Sequence, residues 1–148
     1  MNAATPAQPV THPLEDFLGY QLRRATAAMQ ADLNTRIAEL GVTIVEMSTL
    51  LVIERNPLVT QSEIGRMLAI KSANMAPLAG GLFSRGLIER LPVDGRSQGL
   101  RLTEAGQALV SALHQRIDEN EALIMAKIPE SERAGLKRML RQVWSGRD

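Results

Sequence analysis

Apolar residues recur every three or four positions through the first third of the chain. This spacing puts them on one face of a helix and predicts a long helix over residues 14–40. Gly41 is placed to end the helix, because glycine adopts left-handed backbone geometry without steric cost. Residues 1–13, rich in Ala, Pro, Gln and Thr, are predicted to form a flexible arm. The apolar positions of the helix are Leu14, Leu18, Leu22, Ala25, Met29, Leu33, Ile37 and Leu40.

Two Thr-x-x-Glu motifs mark the next two helix starts. Such a motif fits a capping box, in which each side chain of the pair bonds to the backbone N–H of the other. Thr43 with Glu46 forms the first motif and predicts a helix over residues 43–55, stopped by an Asn-Pro pair. Thr60 with Glu63 forms the second and predicts a shorter helix.

The segment after the second motif encodes a helix and then two short strands. The helix begins between Lys71 and Asn74 and ends at an Arg-Gly pair, residues 85–86. The strands, residues 87–91 and 99–102, surround an Asp-Gly turn signal. A short helix, a second helix and a two-stranded ribbon are the parts of a winged helix-turn-helix. The predicted fold is therefore mainly α, with a small β-hairpin wing, and we expect this module to bind DNA.

Two more helices follow the wing. Thr103 is an N-cap residue, and the helix after it runs to about Lys127. Pro129 suits the first position of a last helix. The apolar stripes of the terminal helices have no partner inside a winged module, so they are expected to pack in a homodimer, the alternative being that they fold back over their own domain.

The predicted domains follow from this pattern. Residues 43–103 form the DNA-binding winged helix-turn-helix, and residues 14–42 and 104–148 form the helical dimerisation region.

The distribution of charge supports a DNA-binding centre. The whole chain has a net charge of only +1. Between Arg55 and Arg101, however, seven basic residues stand against three acids, which gives this segment +4 and the rest of the chain −3. Phosphate contacts supply most non-specific DNA affinity, so a basic centre with acidic flanks is the expected asymmetry. A solvated surface with the same charge is the alternative.

Composition argues against membranes and catalysis. No apolar run approaches the roughly 18 residues of a membrane span, no secretory signal opens the chain, and there is no cysteine, so a cytoplasmic location is expected. The two histidines, His12 and His114, fit no metal-ligand spacing, and no phosphate-cradling glycine motif occurs. We therefore expect no enzymatic activity, no cofactor and no metal.

Three motifs carry a resemblance to a known family. They are RGLIER at residues 85–90, DGRS at residues 94–97 and LTEAG at residues 102–106. With the order of elements, they resemble the MarR family of bacterial transcription regulators, over residues 14–144. The resemblance implies a triangular homodimer that binds a pseudo-palindromic operator, usually as a repressor. It also implies release by a small ligand, commonly an aromatic acid or a related metabolite.

By position, the resemblance also implies the DNA contacts. Residues 71–86 become the recognition helix, whose first residues meet base edges, while the wing enters the minor groove. Two alternatives stay open: Met75 belongs to the core, and Asp94 is only a turn residue. Arg90 is expected to form a structural ion pair. The implied contacts are Ser72, Asn74 and Met75 to bases, Gln61, Ser62 and Lys71 to phosphates, and Asp94, Arg96 and Ser97 in the wing.

The chain departs from the family pattern in the recognition helix. Pro77 stands where a polar or basic residue is common, and a proline in a helix interior costs about 3 kcal/mol. We therefore expect either that Asn74 acts as N-cap or that the helix kinks near Ala73. Gly80 and Gly81 replace a common charged pair, and close backbone packing is the expected reason.

An effector pocket is implied between the dimerisation helices and the winged module. An arginine there can hold a carboxylate by paired hydrogen bonds, which favours an aromatic carboxylate or its coenzyme A thioester. A plain hydrophobic core is the alternative. A winged helix that acts through protein contacts, without ligand control, is the alternative function. The implied pocket residues are Phe17, Tyr20, Arg24, Ile44, Met47 and Leu51.

Overall fold

The structure, a computed structural model, describes residues 12–95 and 97–145. Six helices and three short strands occur within them. In chain order they are α1 (Leu18–Ala38), α2 (Ile44–Arg55), β1 (Val59–Thr60), α3 (Gln61–Met67), α4 (Ser72–Ser84), β2 (Ile88–Pro92), β3 (Gln98–Leu102), α5 (Glu104–Met125) and α6 (Glu130–Trp144). The predicted arm lies outside these ranges, apart from its last two residues.

Both predicted capping boxes are confirmed. At the start of α2, the backbone N–H of Thr43 donates to Glu46 Oε2 at 2.8 Å, and the N–H of Glu46 donates to the Thr43 hydroxyl at 3.2 Å. Thr60 and Glu63 repeat this arrangement at the start of α3. Since each box satisfies donors that a helix start leaves open, these boundaries are fixed by residues close in sequence.

The first helix is shorter than the apolar pattern predicts. It begins at Leu18, after turns over residues 13–16, and Phe17 caps it without a side-chain hydrogen bond. It ends at Ala38, and Gly41 follows with a φ of 71°, as its predicted role in ending the helix requires. Ile37 is the only buried residue of α1, and Leu18, Ala25 and Met29 of its apolar stripe are exposed.

The wing belongs to a three-stranded antiparallel sheet rather than a lone ribbon. Its order is β1-β3-β2, and the register of β2 with β3 pairs Glu89 with Arg101. The two-residue strand β1 pairs with the other edge of β3, where Val59 faces Leu100. The second residue of this strand is the capping residue Thr60, so the strand ties the start of α3 to the wing.

The core lies where α2, α4, α5 and the sheet meet. Its fully buried side chains come from the end of α1, from nearly every element of the winged module and from α5, so α5 is part of the domain core as well as a terminal extension. The largest are Ile37, Leu50, Ile53, Ile64, Leu82, Ile88, Leu100, Val110 and Leu113.

The start of α4 corrects one prediction. Lys71, not Asn74, is the N-cap, and the N–H of Asn74 donates to the Lys71 carbonyl at 2.9 Å. Pro77 therefore lies inside the helix, past its first turn. Without an N–H, it cannot bond to the carbonyl of Ala73 one turn earlier. Three buried side chains on the core face, rather than local propensity, hold this helix together.

The paired glycines of α4 correct a second prediction. A Cβ atom added to Gly80 or Gly81 would meet no atom within 4 Å, so close packing inside the chain does not explain either residue. Close packing explains Gly106 instead, where a Cβ would collide with the carbonyl oxygen of Leu87. The two α4 glycines lie next to open space on the helix surface.

The last helix has no buried residue. Its apolar side chains Met139, Leu140, Val143 and Trp144 are exposed in the single chain, as are Leu14, Phe17 and Leu18 at the other end. None of the described helices is long and apolar enough to cross a membrane.

Candidate nucleic-acid interface

A tight turn brings α3 and α4 together. The N–H of Ile70 donates to the Gly65 carbonyl at 2.9 Å, and a Cβ on Gly65 would lie 3.0 Å from the Ile70 carbonyl oxygen. Ala69, at the centre of the turn, has a φ of 52°, in the left-handed region. The turn therefore requires a small residue on α3 and strained backbone at Ala69, and it fixes the angle between the two helices.

A cleft of about 440 Å³ opens between these helices. It brings together five of the nine residues that the resemblance assigns to DNA, namely Gln61, Ser62, Lys71, Ser72 and Met75. Arg66 also lines it. Arg66 was not among the predicted contacts, although it is one of the basic residues of the central segment.

A second cleft, of about 520 Å³, lies between the start of α3 and the wing. Gln61 and Ser62 line this cleft as well as the first, and Ser97 and Gln98 close it from the wing side. The start of α3, the start of α4 and the wing turn therefore form one continuous surface. The short strand β1, which pairs with β3 just before α3 begins, holds these parts together.

The wing turn is closed by Asp94. Its Oδ1 accepts a hydrogen bond from the N–H of Ser97 at 2.7 Å, and the N–H of Val93 donates to the Ser97 carbonyl at 3.0 Å. This agrees with the turn role that the sequence left open for Asp94. Arg96, the predicted minor-groove arginine, lies outside the described residues.

Asn74 and Met75 differ in accessibility. Asn74 is exposed and lies in the first turn of α4. Met75 is only 3% exposed and belongs to the hydrophobic core, which agrees with the alternative that its sequence position left open. Its side chain lines the first cleft, and Ser72 and Asn74 are the exposed polar side chains at this end of α4.

The basic side chains of the sheet have two kinds of partner. Arg101 pairs with Glu89 across β2 and β3 at 2.8 Å. The predicted ion pair of Arg90 is wrong for the described residues: its guanidinium lies 5.0 Å from the centroid of the Phe83 ring, a cation–π contact. The sequence could not show this, because Phe83 and Arg90 belong to different elements.

The carboxylate at the start of α3 is held ionised by its surroundings. Hydrogen bonds from the Thr60 backbone and hydroxyl, followed by the charge of Arg66, lower the pKa of Glu63. Burial opposes this shift but does not cancel it. The capping box is therefore intact at neutral pH.

The predicted effector residues do not form one pocket in the single chain. Tyr20 and Arg24 line an open cavity of about 490 Å³ with His12, Glu15, Gln21 and Ala25. The Tyr20 hydroxyl lies 2.9 Å from His12 Nε2.

The other four predicted effector residues do not line that cavity. Phe17 is 61% exposed, and Met47 is buried in the core. Ile44 and Leu51 are half-buried against the core. Among the described residues there is no cluster of three or more His, Cys, Asp or Glu side chains that could hold a metal.

Two helices joined by a tight turn, with a strand pair beside them, define a winged helix-turn-helix protein. The MarR family model matches residues 40–97, which span α2 to the wing turn. The HTH-type transcriptional repressor Rv2887 of Mycobacterium tuberculosis is 26% identical over 131 residues, which cover 86% of this chain and 94% of that protein. The winged module of this chain therefore matches the MarR family, and the fold of the described residues agrees with this match.

Solved structures of another repressor, CouR, share the whole architecture. CouR bound to a 23-mer DNA duplex is 28% identical with a TM-score of 0.85, over 93% of this chain and 99% of that one. CouR bound to p-coumaroyl-CoA is 26% identical with a TM-score of 0.82, over 94% of this chain and 99% of that one. The similarity extends beyond the matched family model to the terminal helices.

Proposed function

We propose that the protein is a transcription repressor that binds a pseudo-palindromic DNA operator as a homodimer. One observation carries this proposal: the starts of α3 and α4 and the wing turn form one continuous surface, which carries the polar side chains Gln61, Ser62, Lys71, Ser72 and Ser97. The DNA complex of CouR, which has the same fold, supports this use of the surface.

Within this surface, the first turn of α4 reads the bases. The amide of Asn74 can bond to adenine through both of its polar atoms, and the Ser72 hydroxyl can bond to any base edge. Lys71 and Arg66 face phosphates, and Arg96 inserts into the minor groove. Beyond the first turn, α4 presents no charged side chain, so specificity is concentrated at its start and in the wing.

The exposed apolar side chains of α1 and α6 support the homodimer. In a symmetric homodimer, the two winged modules bind the two half-sites of an operator. The dimer then binds the operator more tightly than one module binds a half-site. Burial of these side chains against a second copy also removes a large apolar surface from water.

We further propose release by a small aromatic carboxylate or its coenzyme A thioester. The CouR complex with p-coumaroyl-CoA supports this ligand class. In this chain, Arg24 and Tyr20 line one cavity and can hold a carboxylate by charge and hydrogen bond. Ile44 and Leu51 of α2 are half-buried against the core, and we propose that they complete the pocket in the homodimer.

Binding to DNA from upstream of the protein's own gene tests the proposal. In a fluorescence anisotropy titration, the upstream duplex should bind at least about 1000-fold more tightly than a scrambled duplex of equal length. Equal binding of both duplexes would contradict operator recognition, and no binding of either would favour a module for protein contacts. Aromatic acids and their acyl thioesters, added to the complex, should release the duplex; no response across this panel contradicts the ligand class.

A further inference from the structure

One arginine joins three separate elements at the end of α4. Arg85, the residue that caps α4, donates from Nη2 to the Gly41 carbonyl at 2.9 Å and from Nη1 to Glu46 Oε1 at 3.1 Å. Gly41 belongs to the turn after α1, and Glu46 to the first turn of α2. The three residues are called the Arg85 clamp below.

Glu46 uses both carboxylate oxygens. While Oε1 accepts from Arg85, Oε2 accepts from the backbone N–H and the hydroxyl of Thr43. The carboxylate therefore closes the α2 capping box and anchors α4 at the same time. Any shift in the start of α2 therefore moves the Glu46 carboxylate, and with it the group that Arg85 binds.

The end of α4 is itself rigid. The N–H of Gly86, with a φ of 67°, donates to the Phe83 carbonyl at 2.9 Å, and the N–H of Leu87 donates to the Leu82 carbonyl at 3.1 Å. These two bonds form a Schellman motif, which fixes the backbone around Arg85. The direction of the arginine side chain is thus coupled to the direction of the helix axis.

The chemistry of the contact requires arginine. Its planar guanidinium group donates to a carbonyl and a carboxylate on two different elements at once. The single ammonium group of lysine cannot make both contacts in the same geometry. The Arg85 side chain is 39% exposed and that of Glu46 is 20% exposed. A surface ion pair of this kind adds little to stability. Its main expected effect is therefore on the position of α4 relative to α1 and α2.

We propose that the Arg85 clamp positions the recognition helix α4 for DNA binding. This inference rests on the proposed function. Arg85 acts as a positioning residue: it holds the far end of α4 against the junction of α1 and α2, so that Ser72 and Asn74 at the near end meet the bases in register. The clamp also ties α4 to the helix start on which Ile44 and Met47 of the predicted effector site lie.

Operator affinity in a set of variants tests the clamp against a direct phosphate contact. Arg85→Ala, Arg85→Lys and Glu46→Gln should each weaken operator binding by about fivefold to tenfold, and the Arg85→Ala/Glu46→Gln pair should be no weaker than either alone. Glutamine can still close the capping box of α2, so this box survives in the variants. The salt dependence of binding should be unchanged.

The opposite pattern identifies a phosphate contact. A lower salt slope in Arg85→Ala by about 1, rescue by Arg85→Lys and normal binding by Glu46→Gln would overturn the proposal. Additive losses in the double variant would overturn it too, because independent residues do not form a clamp.

Hydrogen exchange of the free protein separates this result from the proposed function. Without DNA, Arg85→Ala and Glu46→Gln should both speed amide exchange at the end of α4 and at the start of α2, while exchange in the wing stays unchanged. If exchange is unaltered in both variants, the clamp proposal is wrong, whether or not the wild-type protein binds DNA. If exchange responds as expected but the wild type binds no DNA, the proposed function is wrong. The clamp then still holds α4 in place, but not for DNA binding.

Discussion

Glu63 Oε2 accepts hydrogen bonds from both the backbone N–H and the hydroxyl of Thr60, each at 2.8 Å. This pair fixes the start of α3, and with it the position of Gln61 and Ser62 in both clefts of the proposed interface. The same hydrogen bonds, together with Arg66, lower the pKa of Glu63. The cap at the interface is therefore sensitive to acid.

The first prediction concerns the pH dependence of stability. Because the pKa of Glu63 is lower in the folded than in the unfolded state, its ionised form stabilises the protein above the unfolded pKa, and this contribution is lost as pH falls through the folded pKa. Glu63→Gln should lower the Tm at pH 7, and the difference in Tm from wild type should narrow as the pH falls below the unfolded pKa of about 4.3. Thermal unfolding across pH measures this. Glu15→Gln, which changes an exposed carboxylate, is the control. If the Tm difference between Glu63→Gln and wild type is the same at every pH, ionised Glu63 does not stabilise the capping box.

The second prediction compares two glycines. Gly81→Ala should raise the free energy of unfolding by about 1 kcal/mol, because a Cβ there meets no atom within 4 Å and alanine is the better helix former. Gly106→Ala should lower it, because its Cβ collides with the Leu87 carbonyl. Urea unfolding measures both. A destabilised Gly81→Ala would mean that the backbone of α4 is packed more closely than the structure shows.

The same substitution probes the DNA surface. If α4 lies deep in the major groove, the added methyl group of Gly81→Ala should weaken operator binding while it stabilises the free protein. Unchanged operator affinity would place Gly81 away from the DNA.

The third prediction concerns the homodimer. Trp144, the only tryptophan, is 68% exposed in the single chain. Sedimentation equilibrium should give the mass of two chains, and acrylamide should quench Trp144 poorly. Val143→Glu should yield single chains, whereas Val93→Glu, which adds the same charge in the wing, should leave the dimer intact. A wild-type protein that sediments as one chain with readily quenched Trp144 contradicts the dimer.

Local signals in the sequence predicted the local structure well. The capping boxes at Thr43 and Thr60 and the helix stops at Gly41 and Gly86 each depend on residues within one helical turn, so the chain specifies them directly. The start of α4 was not specified in this way. Lys71 caps it without a side-chain bond, so no capping motif marks the position, and Pro77 suggested a later start.

Long-range features could not be predicted from the pattern. The strand β1 has only two residues and exists because it pairs with β3, about forty residues later. The burial of Met75 and the open space beside Gly80 depend on the path of other elements. The Arg85 clamp joins residues 44 and 39 positions apart, so no local motif signals it.

The central claim is that the start of α4 and the wing read DNA. Its most direct test is an anisotropy titration of the upstream duplex at several salt concentrations. The proteins compared are wild type, the Asn74→Ala/Arg96→Ala double variant and Lys127→Ala. Lys127 is an exposed lysine beyond α5, so Lys127→Ala is the control for loss of a positive charge. The double variant should bind at least about tenfold more weakly than wild type and should lose about one unit of salt slope, while Lys127→Ala binds normally. Equal affinity of the double variant and wild type for this duplex would contradict the account.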